Sequence, residues 1–243
     1  MAEAYPGTND GIERVLVVSA HPDDVDFGVA GSVAAWTSAG IDVAYCIVTD
    51  GDAGGDDLDL PREEMARIRR VEQTAAASTV GVTDLRFLAY PDGRLQPSLE
   101  LRRDISRVIR SVRPQRVVCQ SPERIWDRVY ASHPDHLAAG EAAVCAVYPD
   151  ARNPFAHPEL LADGFEPWTV PELWLMAHPD VDVYIDTTDT IDKKVAALRC
   201  HKSQIPDPVG LDQRMREWGA MVAARVGLPE GHLAEAFKAV DAA

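Results

Sequence analysis

Residues 15–24 read Val15-Leu16-Val17-Val18-Ser19-Ala20-His21-Pro22-Asp23-Asp24. The first four form an unbroken aliphatic run, the mark of a strand buried on both faces rather than half in water. A strand of that kind belongs to a parallel sheet with helices packed on each side. In such sheets ligands bind beyond the carboxyl ends of the strands. This strand runs directly into a histidine and two aspartates.

Outward from this stretch, strand and helix patterns alternate. Gly28 to Ala39 reads as a helix of small residues, and Asp42 to Thr49 as a second buried strand. Pro61 opens a long helix with Glu63 and Glu64 in its first turn, where the helix dipole favours anions, and Gly81 closes it. Leu85 to Leu88 and Arg116 to Gln120 are predicted strands. Leu99 to Val112 is a predicted helix with Leu101, Ile105, Val108 and Ile109 on one stripe. Asp135 to Tyr148 reads as a helix, and Glu172 to Met176 and Val181 to Ile185 as later strands. Thr190 to His201, Leu211 to Val226 and His232 to Val240 read as helices. Residues 1–11 are expected to be a flexible lead-in, and residues 149–171, rich in Pro, Asn and aromatics, an irregular insertion. The pattern predicts one α/β domain over 1–243, Rossmann-like, with a mostly parallel sheet and helices on both faces.

Hydrophobic residues make up 46% of the 243, enough for a sizeable core. Lys and Arg number 24 against 39 Asp and Glu, a net charge of −15. A surface this acidic repels phosphate backbones and anionic membranes, so nucleic acid is not an expected partner. Cys46, Cys119, Cys145 and Cys200 form no C-x-x-C pair and are expected to be free thiols. The N-terminus lacks a basic-then-apolar signal pattern, and no apolar run is long enough to span a membrane. A cytoplasmic protein acting on a small molecule is expected, with a homo-oligomer left open.

The chemistry concentrates in His21-Pro22-Asp23-Asp24 and His133-Pro134-Asp135-His136. Each presents nitrogen and oxygen donors three residues apart. Together they can supply two imidazoles and a carboxylate to a metal, with a further carboxylate and imidazole beside it, which are the parts of metal-assisted hydrolysis. The plain alternative is that Asp23, Asp24 and Asp135 cap helices. Two such clusters beyond the same predicted sheet edge argue for a shared site instead. Arg69 and Glu72, three apart, read either as an intrahelical ion pair or as a substrate contact. Asp92-Gly93 reads as a turn, and His201 as a helix C-terminal residue suited to the dipole. The loop from Asp50 to Asp59 does not match the calcium-loop pattern. A nucleotide site would need G-x-G-x-x-G after the first strand, and the aspartates there would repel a pyrophosphate. No G-x-S-x-G serine-hydrolase motif is present.

An apolar strand ending in Ala20-His21-Pro22-Asp23-Asp24 resembles the signature of the PIG-L/LmbE-like de-N-acetylases, zinc-dependent hydrolases of N-acetylglucosamine units within larger molecules or of related amides. The resemblance extends through Thr49-Asp50-Gly51, Arg69 with Glu72, Tyr90-Pro91-Asp92-Gly93, His133-Pro134-Asp135-His136, His201-Lys202-Ser203-Gln204 and Ala234-Glu235-Ala236-Phe237. It implies that His21, Asp24 and His136 bind Zn2+ or another divalent ion, and that Asp23 is the general base. It further implies that His133 stabilises the oxyanion or protonates the leaving amine, and that Asp135 orients an imidazole. Asp50, Arg69 and Asp92 would contact an amino-sugar conjugate, and Tyr130 is a candidate near the oxyanion. Two other readings stay open: an amidase acting on a larger thiol or glycoside conjugate, and a sugar-binding descendant without turnover.

Overall fold

An interior strand of the sheet is β2 (Arg14–Ser19), whose Val15, Leu16 and Val17 are wholly buried. A computed structural model describes residues 4–55, 57–205 and 208–243, with residues 130 and 131 described by backbone only. β2 pairs in parallel with β3 (Asp42–Thr49) on one side and with β5 (Arg116–Gln120) on the other. Outside these lie β4 (Asp84–Tyr90), parallel to β3, and β6 (Glu172–Met176), parallel to β5. β7 (Val183–Asp186) and the two-residue β1 (Tyr5–Pro6) complete the far side, so part of the expected flexible lead-in is an edge strand parallel to β7. With β8 (Ala234–Asp241) between β7 and β6, the full order is β1-β7-β8-β6-β5-β2-β3-β4.

Alternate residues of β2 feed two separate cores, as a strand buried on both faces must. Val15 and Val17 face one layer with Trp36, Tyr45 and Ile47. Leu16 and Val18 face the other with Leu101, Ile105 and Ile109. The first layer holds α1 (Asp24–Gly28), α2 (Ala30–Ser38) and α3 (Arg62–Thr79). The second holds α4 (Leu99–Val112) and α5 (Pro134–Cys145), which ends three residues earlier than its sequence pattern predicts. The chain between 149 and 171 carries one short helix, α6 (Pro158–Ala162), with Leu160 buried. It is tied to α4: Arg102 grips Asp150 through two 2.8 Å bonds, and Arg110 donates to the carbonyls of Asp150, Ala151, Asn153 and Ala156. α7 (Ile191–Leu198) and α8 (Leu211–Arg225) share a smaller cluster of Val195, Leu198, Leu211 and Met215.

One element departs from its sequence reading. The segment expected as a helix over His232 to Val240 is instead a strand, β8 (Ala234–Asp241), antiparallel to both β6 and β7. Its alanines, glutamate and lysine favour a helix locally. The gap between two parallel strands offers backbone partners on both sides, and that tertiary pairing outweighs propensity. Glu235 also turns inward. It accepts from the Gly31 and Ser32 amides at the start of α2 and from Lys194 at 2.6 Å.

Candidate metal centre

Four strands deliver their following loops to one edge: β2 to His21, β3 to Asp50, β4 to Asp92 and β5 to the segment that reaches His133. In the first loop the Asp24 carboxylate folds back to accept the His21 amide at 2.7 Å. Gln120, at the end of β5, accepts the Ala20 amide at 2.9 Å and locks the adjacent strand end. In the other cluster His133 caps α5, its Nδ1 accepting the Asp135 amide at 3.2 Å, with Pro134 in the first turn.

The two clusters meet at His21. Its Nδ1 lies 3.3 Å from His136 Nε2 and 3.3 Å from Asp24 Oδ2, and His136 Nε2 lies 3.0 Å from Asp24 Oδ1. A four-coordinate ion with bonds of about 2.0–2.1 Å spaces its donors about 3.3 Å apart. Two imidazole nitrogens and a carboxylate therefore stand at coordination spacing. His133 joins the group, its ring centroid 5.0 Å from that of His21 and 5.4 Å from that of His136.

The opposite nitrogen of His21, Nε2, faces Asp92 at 3.0 Å and Asp135 at 3.3 Å, a second set of donors close enough to hold an ion. These carboxylates already have other partners. Asp135 accepts from the Gly93 and Leu95 amides, and Asp92 from the Ala53 amide. An imidazole that binds through one nitrogen commonly donates its other N–H to a carboxylate, which fixes ring and tautomer. Asp92 and Asp135 are placed for that task.

Burial pulls the His21 pKa down, but bonds to Asp135, Asp24 and Asp92 outweigh it and push it up to about 12. Burial likewise raises Asp24, yet His136 and His21 hold its carboxyl well below the ordinary range. Burial raises Asp92 too, but its bond to His21 and the charge there bring it down to about 2. Three carboxylates around one imidazole demand a positive charge at that spot, and a divalent cation meets the same demand as a proton. The donor types, spacing and charge all fit such an ion.

Asp23 stands apart from this convergence. Its backbone has φ 90°, outside the usual range for a residue with a side chain. Its amide donates to Gln73 Oε1 at 2.8 Å, and its carboxylate accepts from Arg69 at 3.1 Å. Burial raises its pKa to about 6, with Arg69 pulling against it. Burial and the nearby His21 and His136 charges lower the pKa of His133.

Arg69 and Asp92, expected to contact substrate, have partners within the fold. Arg69 is 4% exposed, its guanidinium held by the carbonyls of Gly51 and Pro22 and by Asp23. It does not pair with Glu72, which instead accepts from the Ser203 amide and hydroxyl. Asp92 Oδ1 lies 3.0 Å from His21 Nε2. Both placements arise because α3 and the β4 loop pack under the first cluster, a relation that spacing along the chain does not encode. Asp50 lies at the rim, paired with Arg70 at 2.7 Å. The Tyr130 side chain lies outside the described residues. The sequence reading missed Gln73 and Asp26. The available signal was Arg69 and Gln73, four apart on the α3 face that also buries Met65 and Ala76.

Residues 16–147 match the family model PIG-L, described as GlcNAc-PI de-N-acetylase. The diacetylchitobiose deacetylase of Thermococcus kodakarensis is 32% identical over 198 residues, covering 82% of this chain and 72% of that protein. A probable N-acetyl-alpha-D-glucosaminyl L-malate deacetylase of Bacillus anthracis is 31% identical over 203 residues, covering 81% and 83%. Among solved structures, the N,N'-diacetylchitobiose deacetylase of Pyrococcus horikoshii superposes with a TM-score of 0.88 at 28% identity, covering 96% of this chain and 86% of that one.

Proposed function

From the premise that this chain belongs to the PIG-L family of de-N-acetylases, we propose that it hydrolyses the acetamide of an N-acetylglucosamine-type sugar conjugate, releasing acetate and a free amino sugar. The observation that carries this reading is the convergence of His21, Asp24 and His136 at coordination spacing beside an uncoordinated carboxylate, Asp23. The relatives are named for diacetylchitobiose, glucosaminyl malate and inositol glucosaminide substrates, which share the N-acetylated glucosamine and differ in what is attached to it.

His21 Nδ1, His136 Nε2 and Asp24 would hold the ion, and two nitrogens with one oxygen suit zinc. A divalent ion bound there supplies Lewis acidity toward the amide carbonyl and water acidified to near-neutral pKa. Asp92 and Asp135 hold the His21 ring through Nε2, which would leave Nδ1 to the ion. Asp23 takes a proton from the attacking water. With a pKa near 6 it is ionised at neutral pH yet more basic than an ordinary aspartate. The His133 Nδ1 is occupied as an acceptor, so its Nε2 carries the proton. That N–H donates to the carbonyl oxygen as negative charge builds, or to the departing nitrogen. Asp50 at the rim is a candidate for a sugar hydroxyl, as are Arg69 and Asp92 deeper in the site. Because both clusters are intact, a descendant that only binds sugar is the weaker reading.

The four free cysteines, two of them buried, support action in a reducing cytoplasm, and no described helix is long and apolar enough to cross a membrane. The charge of −15 argues against nucleic acid as a partner.

Acetate release from N-acetylglucosamine, diacetylchitobiose, glucosaminyl malate and glucosaminyl inositol substrates tests the proposal. Expected is equimolar acetate and primary amine from at least one of them, abolished by a chelator and restored by zinc. Release from none of the four by zinc-loaded protein would overturn it.

A further inference from the structure

His201 is wholly buried and has no place in the chemistry described above. Its Nε2 lies 2.7 Å from Asp26 Oδ2, and Asp26 is also wholly buried. The same Oδ2 accepts from Gln73 Nε2 at 2.9 Å. The other end of that amide, Gln73 Oε1, accepts the Asp23 backbone N–H at 2.8 Å. Three side chains from three elements thus make one unbranched line of bonds. It begins at the turn after α7, passes through α1 and α3, and ends on the main chain of Asp23.

The terminus of that line is the residue with φ 90°. A side-chain-bearing residue stays in such a conformation only where its surroundings over-determine it. Gln73 fixes the Asp23 amide, while Arg69, one turn earlier on α3, fixes the Pro22 carbonyl and the Asp23 carboxylate. A glutamine amide can rotate and exchange its two ends. Asp26, an acceptor only, forces Nε2 toward itself and Oε1 toward Asp23. His201, as a donor, holds Asp26 in turn. The turn that carries His201 is anchored to the same helix, since Ser203 donates through its amide and hydroxyl to Glu72 at 2.8 and 2.7 Å. A core packed only for stability would place apolar groups here, because replacing a buried hydrogen-bonded pair by apolar groups of the same shape is often neutral or stabilising.

We infer that His201 is a positioning residue for Asp23, acting through Asp26 and Gln73 to hold the base in its left-handed conformation. The inference rests on the reading of Asp23 as the general base.

Reciprocal substitution tests it. Gln73→Glu keeps the acceptor toward Asp23 but sets two carboxylates against each other, and Asp26→Asn loosens the orientation of the amide. Each single variant should lose about tenfold or more in kcat, with KM and zinc stoichiometry within about twofold of wild type. The double variant should recover most of that loss. Its new amide on α1 can donate to its new carboxylate on α3, which restores the line once the imidazole takes its other tautomer. His201→Leu should behave like the singles, and His201→Gln, which keeps a donor, should recover part of the loss. Wild-type kcat in both folded single variants would overturn the inference, as would a double variant no better than the product of the singles. Asp23→Asn separates the two readings. Full turnover there removes the base assignment and the inference with it. An inactive Asp23→Asn beside a fully active Gln73→Glu removes the inference alone.

Discussion

Among single residues, Asp23 carries a cost that its neighbours do not relieve. Its folded pKa is about 6 against an ordinary value of 3.8, because burial outweighs the pull of Arg69. The folded state therefore holds the proton more tightly than the unfolded chain does. This contribution to stability is fully present below pH 3.8 and is lost as pH rises through about 6. Asn has the shape of the neutral acid and tolerates positive φ. Asp23→Asn is thus expected to raise the melting temperature of the metal-free protein at pH 7–8, by up to about 2–3 kcal/mol in stability. The gain should fade towards pH 4. Thermal denaturation across that pH range checks it, and the expected loss of turnover in the same variant would make Asp23 a case of function maintained against stability. The residue types at this site were legible in the sequence, since histidines and aspartates at such spacing have few other uses together. Their partners were not. Nothing near Arg69 in the chain reveals that it lies beneath Asp23, and nothing near Asp92 reveals that it faces the far nitrogen of His21.

Among the elements, α5 delivers both Asp135 and His136, so its distance from the sheet sets the geometry of the centre. Gly140 fixes that distance. A Cβ there would lie 2.3 Å from the Gln120 carbonyl oxygen, a backbone atom at the end of β5 that cannot yield without moving the strand. In an isolated helix Gly→Ala gains about 1 kcal/mol. Here overpacking costs about 1–3 kcal/mol and pushes α5 outward. Gly140→Ala is expected to lower the melting temperature and to weaken zinc binding by about tenfold, read by denaturation and by competition with a chelating dye. The helix was readable in the sequence from Pro134 and the alanine-rich stretch that follows. The need for a glycine one turn after His136 was not, because its reason is a strand that lies well back in the chain. β8 makes the same point in reverse. Its local composition favours a helix, and only the open edges of β6 and β7 make it a strand.

For the protein taken whole, the centre joins loops from strands that the rest of the fold must hold in register. Asp24, Asp92 and Asp135 crowd around His21, and their mutual repulsion opposes closure of those loops unless a cation is present. Zinc is therefore expected to stabilise the entire domain, by about 2.7 kcal/mol at a free concentration about one hundred times Kd. With the His21 pKa pushed up to about 12 in the metal-free state, binding displaces a proton at all ordinary pH values. The stabilisation should consequently shrink as pH falls. Calorimetric titration in buffers of different ionisation enthalpy should register proton release, and a melting temperature indifferent to zinc would refute the coupling.

Hydrophobic period and side-chain chemistry act over a few neighbouring residues, and the chain displays both directly. The parallel α/β framework and the two donor clusters at its edge followed from them. Three things came only from the folded arrangement: which nitrogen of His21 faces Asp24 and His136, that Asp23 adopts φ 90°, and that Arg69, Gln73 and, through Asp26, His201 are linked to it. The contacts of Asp23 with Arg69 and of Asp26 with His201 join residues 46 and 175 positions apart. They come into being only when packing has brought distant segments together, and no local pattern carries them.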